Sequence, residues 1–301
     1  SVLDYSVEGK EEDAQFDAAL AMTLKTIEFA KEREAIPFAV FKPTGFGRTD
    51  LYIKVGEKAT LTPAEQEDWN RVVARFDLAC KTAFEKDVLL LIDAEESWMQ
   101  DAADAIVTNM MQKYNKEKAI VFNTLQLYRW DRLDYLKELH KQANTEGFFI
   151  GMKLVRGAYL EKENEKAAEK GVKSPICVTK EATDINYDAT VLYMIENLDR
   201  MSIFAGTHNE ESSYKLMELM NQRGIAKDDK RIFFGQLLGM SDNISFNLAA
   251  GGYNVAKYLP FGPVRDVMPY LIRRAEENTS VAGQTSRELT LIKKEKERRK
   301  L

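Results

Sequence analysis

Two cysteines and two histidines in 301 residues leave little material for covalent or metal cross-links. Cys80 and Cys177 form no CxxC pair, so a disulfide framework is disfavoured and a reducing compartment fits better. So few soft ligands also argue against a buried zinc site. A surplus of positive charge is missing too. Lys and Arg number 43 against 48 Asp and Glu, for a net charge of -5, and nothing global favours nucleic acid. No apolar run approaches the roughly 20 residues that a membrane-spanning helix needs. The opening residues Ser1-Val2-Leu3-Asp4-Tyr5 lack the basic and apolar regions of a leader and read at once as a strand. That is the start expected of a chain cut from a longer precursor. Glycine signatures are scarce: there is no Walker A motif and no Rossmann fingerprint, and Gly45-Phe46-Gly47 is too short to carry weight.

The chain does contain 45% hydrophobic and 30% charged residues, the balance of a folded chain with a buried core. Short apolar runs alternate with longer amphipathic ones. The runs are residues 2–8, 38–42, 88–93, 119–126, 148–155, 201–208, 231–236 and 254–259. Between them lie helical patterns: Phe16, Leu20, Ile27 and Ala30 on one side of the first, and Trp69, Val72, Val73 and Phe76 in another. Thr62-Pro63-Ala64-Glu65 combines a capping box with proline at the first helical position. Ser97 is the expected cap of the helix after the third run, and a helix is expected from near Tyr187 to Leu198. Eight strand–helix units imply a parallel sheet with right-handed crossovers. In about 300 residues they suit a closed α/β architecture, a (β/α)8 TIM-like barrel, better than an open sheet. No interior linker rich in Pro, Gly or Ser interrupts the pattern, so residues 1–301 read as a single domain with a charged helical tail over 286–301.

Barrel chemistry sits at the C-terminal ends of the strands. Polar residues lie at or just after each apolar run: Glu8, Lys42, Asp93, Gln126, Lys153, His208, Gln236 and Tyr258. Loops begin with polar residues anyway, but a full ring with both signs of charge points to an active site. After the last strand a helix begins at Pro263 and carries Arg273-Arg274, whose forked donors suit a carboxylate or phosphate. A solvent-facing pair, or pairing with Glu276 or Glu277, explains them equally well. Gly157, directly after Lys153-Leu154-Val155-Arg156, would let backbone approach a cofactor closely.

Lys153-Leu154-Val155-Arg156-Gly157-Ala158-Tyr159 resembles the hallmark segment of proline dehydrogenases. So do residues 257–262 and 270–278, Gln236-Leu237-Leu238-Gly239-Met240 and Leu3-Asp4-Tyr5-Ser6-Val7-Glu8, which together run from the first strand to the last helix. The resemblance implies FAD-dependent oxidation of L-proline to Δ1-pyrroline-5-carboxylate, with hydride passing from C5 to the flavin N5. It implies that Arg273 and Arg274, with Lys42, hold the substrate carboxylate. Tyr258 and Tyr270 would pack around the ring, and Glu8 would pair with an arginine and gate the site. Asp93 stands at the family's active-site aspartate and Lys153 beside the flavin N5 edge. Ala94, Gln126, Val155, Arg156, Gly157, Ala158, Tyr159, Thr207 and His208 would contact FAD. Many members carry arginine where this chain has Lys153, which keeps the charge but loses the planar fork. A tyrosine at 258 crowds a 4-hydroxyl, which favours proline over hydroxyproline.

Three other readings compete: a hydroxyproline dehydrogenase, a Schiff-base barrel lyase or isomerase using Lys42 or Lys153, and a non-enzymatic barrel scaffold. A quinone or other electron acceptor is implied as partner. The basic cluster Lys293 to Lys300 reads as a solvated tail, with a peripheral membrane contact as its second reading. The expected location is bacterial cytoplasm, peripheral to the inner membrane, with the matrix side of a mitochondrion as the alternative.

Overall fold

The computed structural model describes residues 1–268, 270–272 and 282–300. Its chain divides into two units, Ser1–Phe261 and Gly262–Leu301. The first is a closed barrel of eight parallel strands in sequential order, as the alternating pattern predicts. The strands are β1 (Val2–Tyr5), β2 (Phe38–Phe41), β3 (Leu89–Ile92), β4 (Val121–Gln126), β5 (Ile150–Val155), β6 (Met201–Gly206), β7 (Ile232–Leu237) and β8 (Val255–Phe261). β8 closes the ring on β1 in the register Val2 to Tyr258. The helices of this unit are α1 (Asp13–Ala30), α2 (Thr49–Gly56), α3 (Pro63–Lys86), α4 (Ser97–Tyr114), α5 (Arg132–Glu146), α6 (Leu160–Lys170), α7 (Lys180–Glu196), α8 (Glu210–Gln222) and α9 (Asp242–Ala250). The second unit has helical residues at 264–268 and 270–272 and a terminal helix, Ala282–Arg299. No described helix is long and apolar enough to cross a membrane.

Alternation along each strand builds two cores. In β2, Ala39 and Phe41 join the layer between strands and helices, while Phe38 and Val40 join the barrel interior. Phe38 stands edge-on to Phe122, Phe204 and Phe233 at ring separations of 5.5, 5.1 and 4.8 Å. Edge-to-face contact suits the ring quadrupoles, and burying each ring stabilises by about 2–3 kcal/mol. Gly235 makes room for this cluster, since a Cβ there would lie 2.2 Å from the Phe204 ring. The interior is therefore a packed aromatic floor, and chemistry is confined to the mouth above it.

The Thr62 capping box forms as expected, with Pro63 opening α3 and Glu65 returning its carboxylate to Thr62 N–H at 2.8 Å. Two local expectations need correction. Ser97 is the first helical residue of α4, not its cap: Glu96 occupies the cap position without a side-chain bond. The Ser97 N–H and hydroxyl instead donate to Glu163 of α6, at 2.6 and 2.5 Å. The helix expected from Tyr187 begins earlier, at Lys180, because Thr179 accepts the Ala182 N–H and starts it two turns sooner.

Candidate active site

The residues following β2 and β3 set the geometry of the mouth. Lys42 comes immediately after β2 and Asp93 immediately after β3, whereas Lys153 and Tyr258 sit within β5 and β8. Lys153 is paired in register with Thr124 of β4 and Phe204 of β6, which directs it over the aromatic floor. The Lys153 ammonium lies 2.5 Å from one Asp93 oxygen, and the Lys42 ammonium lies 3.2 Å from the other. The Tyr258 hydroxyl donates to the same carboxylate at 2.9 and 2.8 Å from its two oxygens. Lys153 also sits 4.6 Å from the centre of the Tyr258 ring. Three side chains, from β5, from β8 and from the residue after β2, thus meet on the Asp93 carboxylate.

A second carboxylate lies beneath them. Asp4 of β1 is fully buried, accepts the Lys42 ammonium at 3.1 and 3.2 Å, and is steadied by the Ser6 hydroxyl at 2.7 Å. Two ammonium groups face two carboxylates, so these four charges are formally balanced. Burial alone would raise the Asp93 carboxyl. The charges of Lys153 and Lys42, with hydrogen bonds from Lys153 and Tyr258, outweigh it and hold the group at about 2. For Lys42, burial disfavours the charge, but Asp4, Asp93 and Glu8 together raise it above the ordinary lysine value.

A neighbouring acid behaves differently. Glu95 is buried, and burial pushes it up to about 8 against the opposing hydrogen bonds from Thr44. It accepts the Thr44 N–H at 2.8 Å and the Thr44 hydroxyl at 2.6 Å, and Thr44 accepts the Gly9 N–H at 2.9 Å. Its own carbonyl accepts the Gln126 amide at 2.8 Å. Glu95 therefore ties together the loops after β1, β2 and β3 and the end of β4.

On the other side of the mouth, Arg156 donates to Asp184 at 2.7 Å, Thr207 at 2.7 Å and Ser212 at 3.0 Å, and stacks 4.6 Å from the Tyr187 ring. His208 Nδ1 lies 3.0 Å from the Ser241 hydroxyl. Gly157 has φ +136°, and a Cβ there would lie 2.4 Å from the Tyr128 ring. Packing on Tyr128 is one reason for a glycine at this position. Val155 ends β5, Ala158 follows Gly157, and Tyr159 precedes α6. Ala94 lies between Asp93 and Glu95. Gln236 of β7 is held by Ser245 and the Thr207 carbonyl, at 2.9 and 3.2 Å. Glu8 lies in the loop after β1. Tyr270 belongs to the second unit, and Arg273 and Arg274 lie outside the described residues.

The model for the proline dehydrogenase family matches residues 1–287. The chain belongs to the proline dehydrogenase family. It is 39% identical over 298 residues to the carbapenem antibiotics biosynthesis protein CarD of Pectobacterium carotovorum subsp. carotovorum, covering 99% of this chain and 77% of that one. To mitochondrial proline dehydrogenase 1 of Homo sapiens it is 41% identical over 234 residues, covering 77% of this chain and 39% of the human protein. It is also 37% identical over 243 residues to a hydroxyproline dehydrogenase of Xenopus laevis, covering 79% of this chain and 52% of that protein. Proline utilization A (PutA) from Bdellovibrio bacteriovorus superposes with a TM-score of 0.80 at 21% identity, over 94% of this chain and 30% of PutA. That likeness shows the barrel fold. The chain spans well under two thirds of the human protein and of PutA.

Family membership implies a flavin cofactor, and one feature of the mouth fits a flavin. With its amide nitrogen committed to Glu95, Gln126 retains a buried Oε1 that has no partner among the described residues. A buried acceptor without a donor is costly, and an imide N–H of the kind an isoalloxazine ring carries would satisfy it.

Asp4, Thr44, Glu95, Asp184 and Ser212 were not among the site residues the sequence suggested. For Asp4 a signal existed, a charge inside the apolar run Val2–Tyr5. Glu95 offered only proximity to Asp93. Asp184 and Ser212 lie on helices α7 and α8, and nothing local marks them.

Proposed function

We propose that this barrel oxidises L-proline to Δ1-pyrroline-5-carboxylate with FAD. The observation that carries this reading is the convergence of Lys42, Asp93, Lys153 and Tyr258 above a packed aromatic floor. FAD, when bound, supplies the acceptor for the hydride that leaves C5. Gln126, Arg156 and the loop Gly157–Tyr159, with Ala94, Val155, Thr207 and His208, would hold it. Lys153 places a positive charge beside the reacting edge, and Asp93 orients that ammonium together with the Tyr258 hydroxyl.

Because Asp93 is held at about 2, it is a weak base at neutral pH and serves as an electrostatic partner. The proton of the proline ammonium passes to water before hydride leaves, so activity rises toward alkaline pH. Lys42 is already balanced by Asp4 and Asp93. Net positive charge for the substrate carboxylate then falls to Arg273 and Arg274, with Lys42 contributing hydrogen bonds and Glu8 gating. Tyr270 would pack against the ring, and Tyr258 would exclude a 4-hydroxyl, so proline is preferred over hydroxyproline. Electrons leave to a quinone or another acceptor. The basic terminal helix, with Lys296, Arg298 and Arg299 in its last turn, suits a peripheral contact with an anionic membrane surface. That contact fits the inner face of a bacterial membrane or the matrix side of a mitochondrion.

The test is spectroscopic. The purified protein should show flavin absorbance that bleaches when L-proline is added without oxygen. A colourless protein that takes up no FAD, or a flavin that stays oxidised with proline, would overturn the reading. A larger response to 4-hydroxyproline would replace it with the hydroxyproline reading.

A further inference from the structure

Two of the walls that the proposed function gives the flavin are the loop after β3, with Ala94, and the loop after β5, with Arg156 to Tyr159. Each is short and continues into a helix: Asp93-Ala94-Glu95-Glu96 into α4, and Arg156-Gly157-Ala158-Tyr159 into α6. Glu163 of α6, which is 1% exposed, reaches across to α4. Its two carboxylate oxygens accept the Ser97 N–H at 2.6 Å and the Ser97 hydroxyl at 2.5 Å. Its own N–H donates to the Tyr159 carbonyl at 2.9 Å, the first turn of α6. Two surface contacts run parallel to this one: Lys162 reaches Glu96 at 3.3 Å, and the Lys166 ammonium lies 4.4 Å from the Trp98 ring. Both lie nearer the surface than Glu163 and contribute little.

Glu163 differs from them. A buried carboxylate is retained at a cost unless its charge is met, and here the positive end of α4 and two hydrogen bonds meet it. α4 carries no cap of its own, since Glu96 makes no side-chain bond there. The missing cap is supplied from the helix that follows the other wall. Tyr128, on which Gly157 packs, feels the Glu163 charge, so the same carboxylate acts electrostatically on the ring that seats the 156–159 loop.

We propose that Glu163 and Ser97 are a positioning pair that sets the spacing between these two flavin walls. The pair touches neither substrate nor cofactor and acts through the loops that end at Asp93–Glu95 and begin at Gly157–Tyr159. The proposal rests on the reading that FAD occupies this mouth.

The test titrates FAD into the apo-proteins of wild type, Glu163→Ala, Glu163→Gln and Ser97→Ala. It follows flavin fluorescence and visible circular dichroism, with apo melting temperatures alongside. Losing a charge-assisted clasp should weaken FAD binding in E163A by about tenfold or more and alter the visible dichroism of whatever binds. E163Q keeps an acceptor for the Ser97 N–H and a donor for its hydroxyl, and should recover most of the affinity. S97A, which keeps the backbone bond, should fall between them. Wild-type FAD affinity in E163A would overturn the proposal, even with a lowered melting temperature, because the pair would then be structural only. If E163A does not fold, S97A decides: unchanged affinity and dichroism in that variant overturn it. A wild-type protein that binds no FAD would sink the functional reading and the pair with it, which separates the two failures.

Discussion

Replacing Asp93 by asparagine removes the one charge that two buried ammonium groups share. The carboxyl is lowered from 3.8 to about 2 in the folded protein. A shift of that size is worth about 2 kcal/mol by linkage. Deleting one member of a buried ion pair costs about 3–5 kcal/mol, because the partner is left uncompensated. Asp4 still balances Lys42, and an asparagine oxygen still accepts one hydrogen bond, so the lower end applies, about 3 kcal/mol. At about 2 °C per kcal/mol for a chain of this size, the melting temperature at pH 7 should fall by about 6 °C. The sign with pH follows from the lowered value. The Asp93 contribution is present above the unfolded value of 3.8 and is lost as pH falls through about 2. Melting curves of wild type and Asp93→Asn should therefore converge as the pH drops through that window. A double-mutant cycle with Lys153→Met should show strong non-additivity. Equal melting temperatures at pH 7, or additive effects in the cycle, would refute the coupling described for this site.

Gly157→Ala meets the Tyr128 ring and a φ of +136°, and should cost at least about 2 kcal/mol in chemical denaturation. Glu95→Gln should match wild-type stability below about pH 4.5 and gain on it progressively as pH rises to about 8. A carboxyl raised from 4.5 to about 8 contributes stability that is lost as pH rises through the folded value, and melting across pH reads this directly. Arg274→Met should raise the KM for proline by at least about tenfold while the flavin spectrum stays present, if the carboxylate clamp is as proposed. Steady-state kinetics with a dye acceptor checks it.

The barrel was legible because its signal is periodic and local. Eight apolar runs separated by amphipathic stretches allow few arrangements, and each strand appears within a few residues of its run. The misses occur where a long-range contact replaces a local one. Ser97 has the sequence of a cap, yet Glu163 performs the capping from 66 residues away. α7 starts at Lys180, ahead of the helix expected from near Tyr187, because Thr179 caps it.

Residue type and strand-end position alone were enough to nominate Lys42, Asp93, Lys153 and Tyr258, because a parallel barrel carries every such position to one mouth. Who pairs with whom was decided only by closure of the ring. β8 meets β1 across the whole length of the barrel unit, which brings Tyr258 onto Asp93 and leaves Asp4 beneath Lys42. Charge balance and the opposite shifts of Asp93 and Glu95 depend on burial and on distances of about 3 Å. Two acids separated by a single alanine carry no mark in the sequence of which one meets lysines and which one meets Thr44.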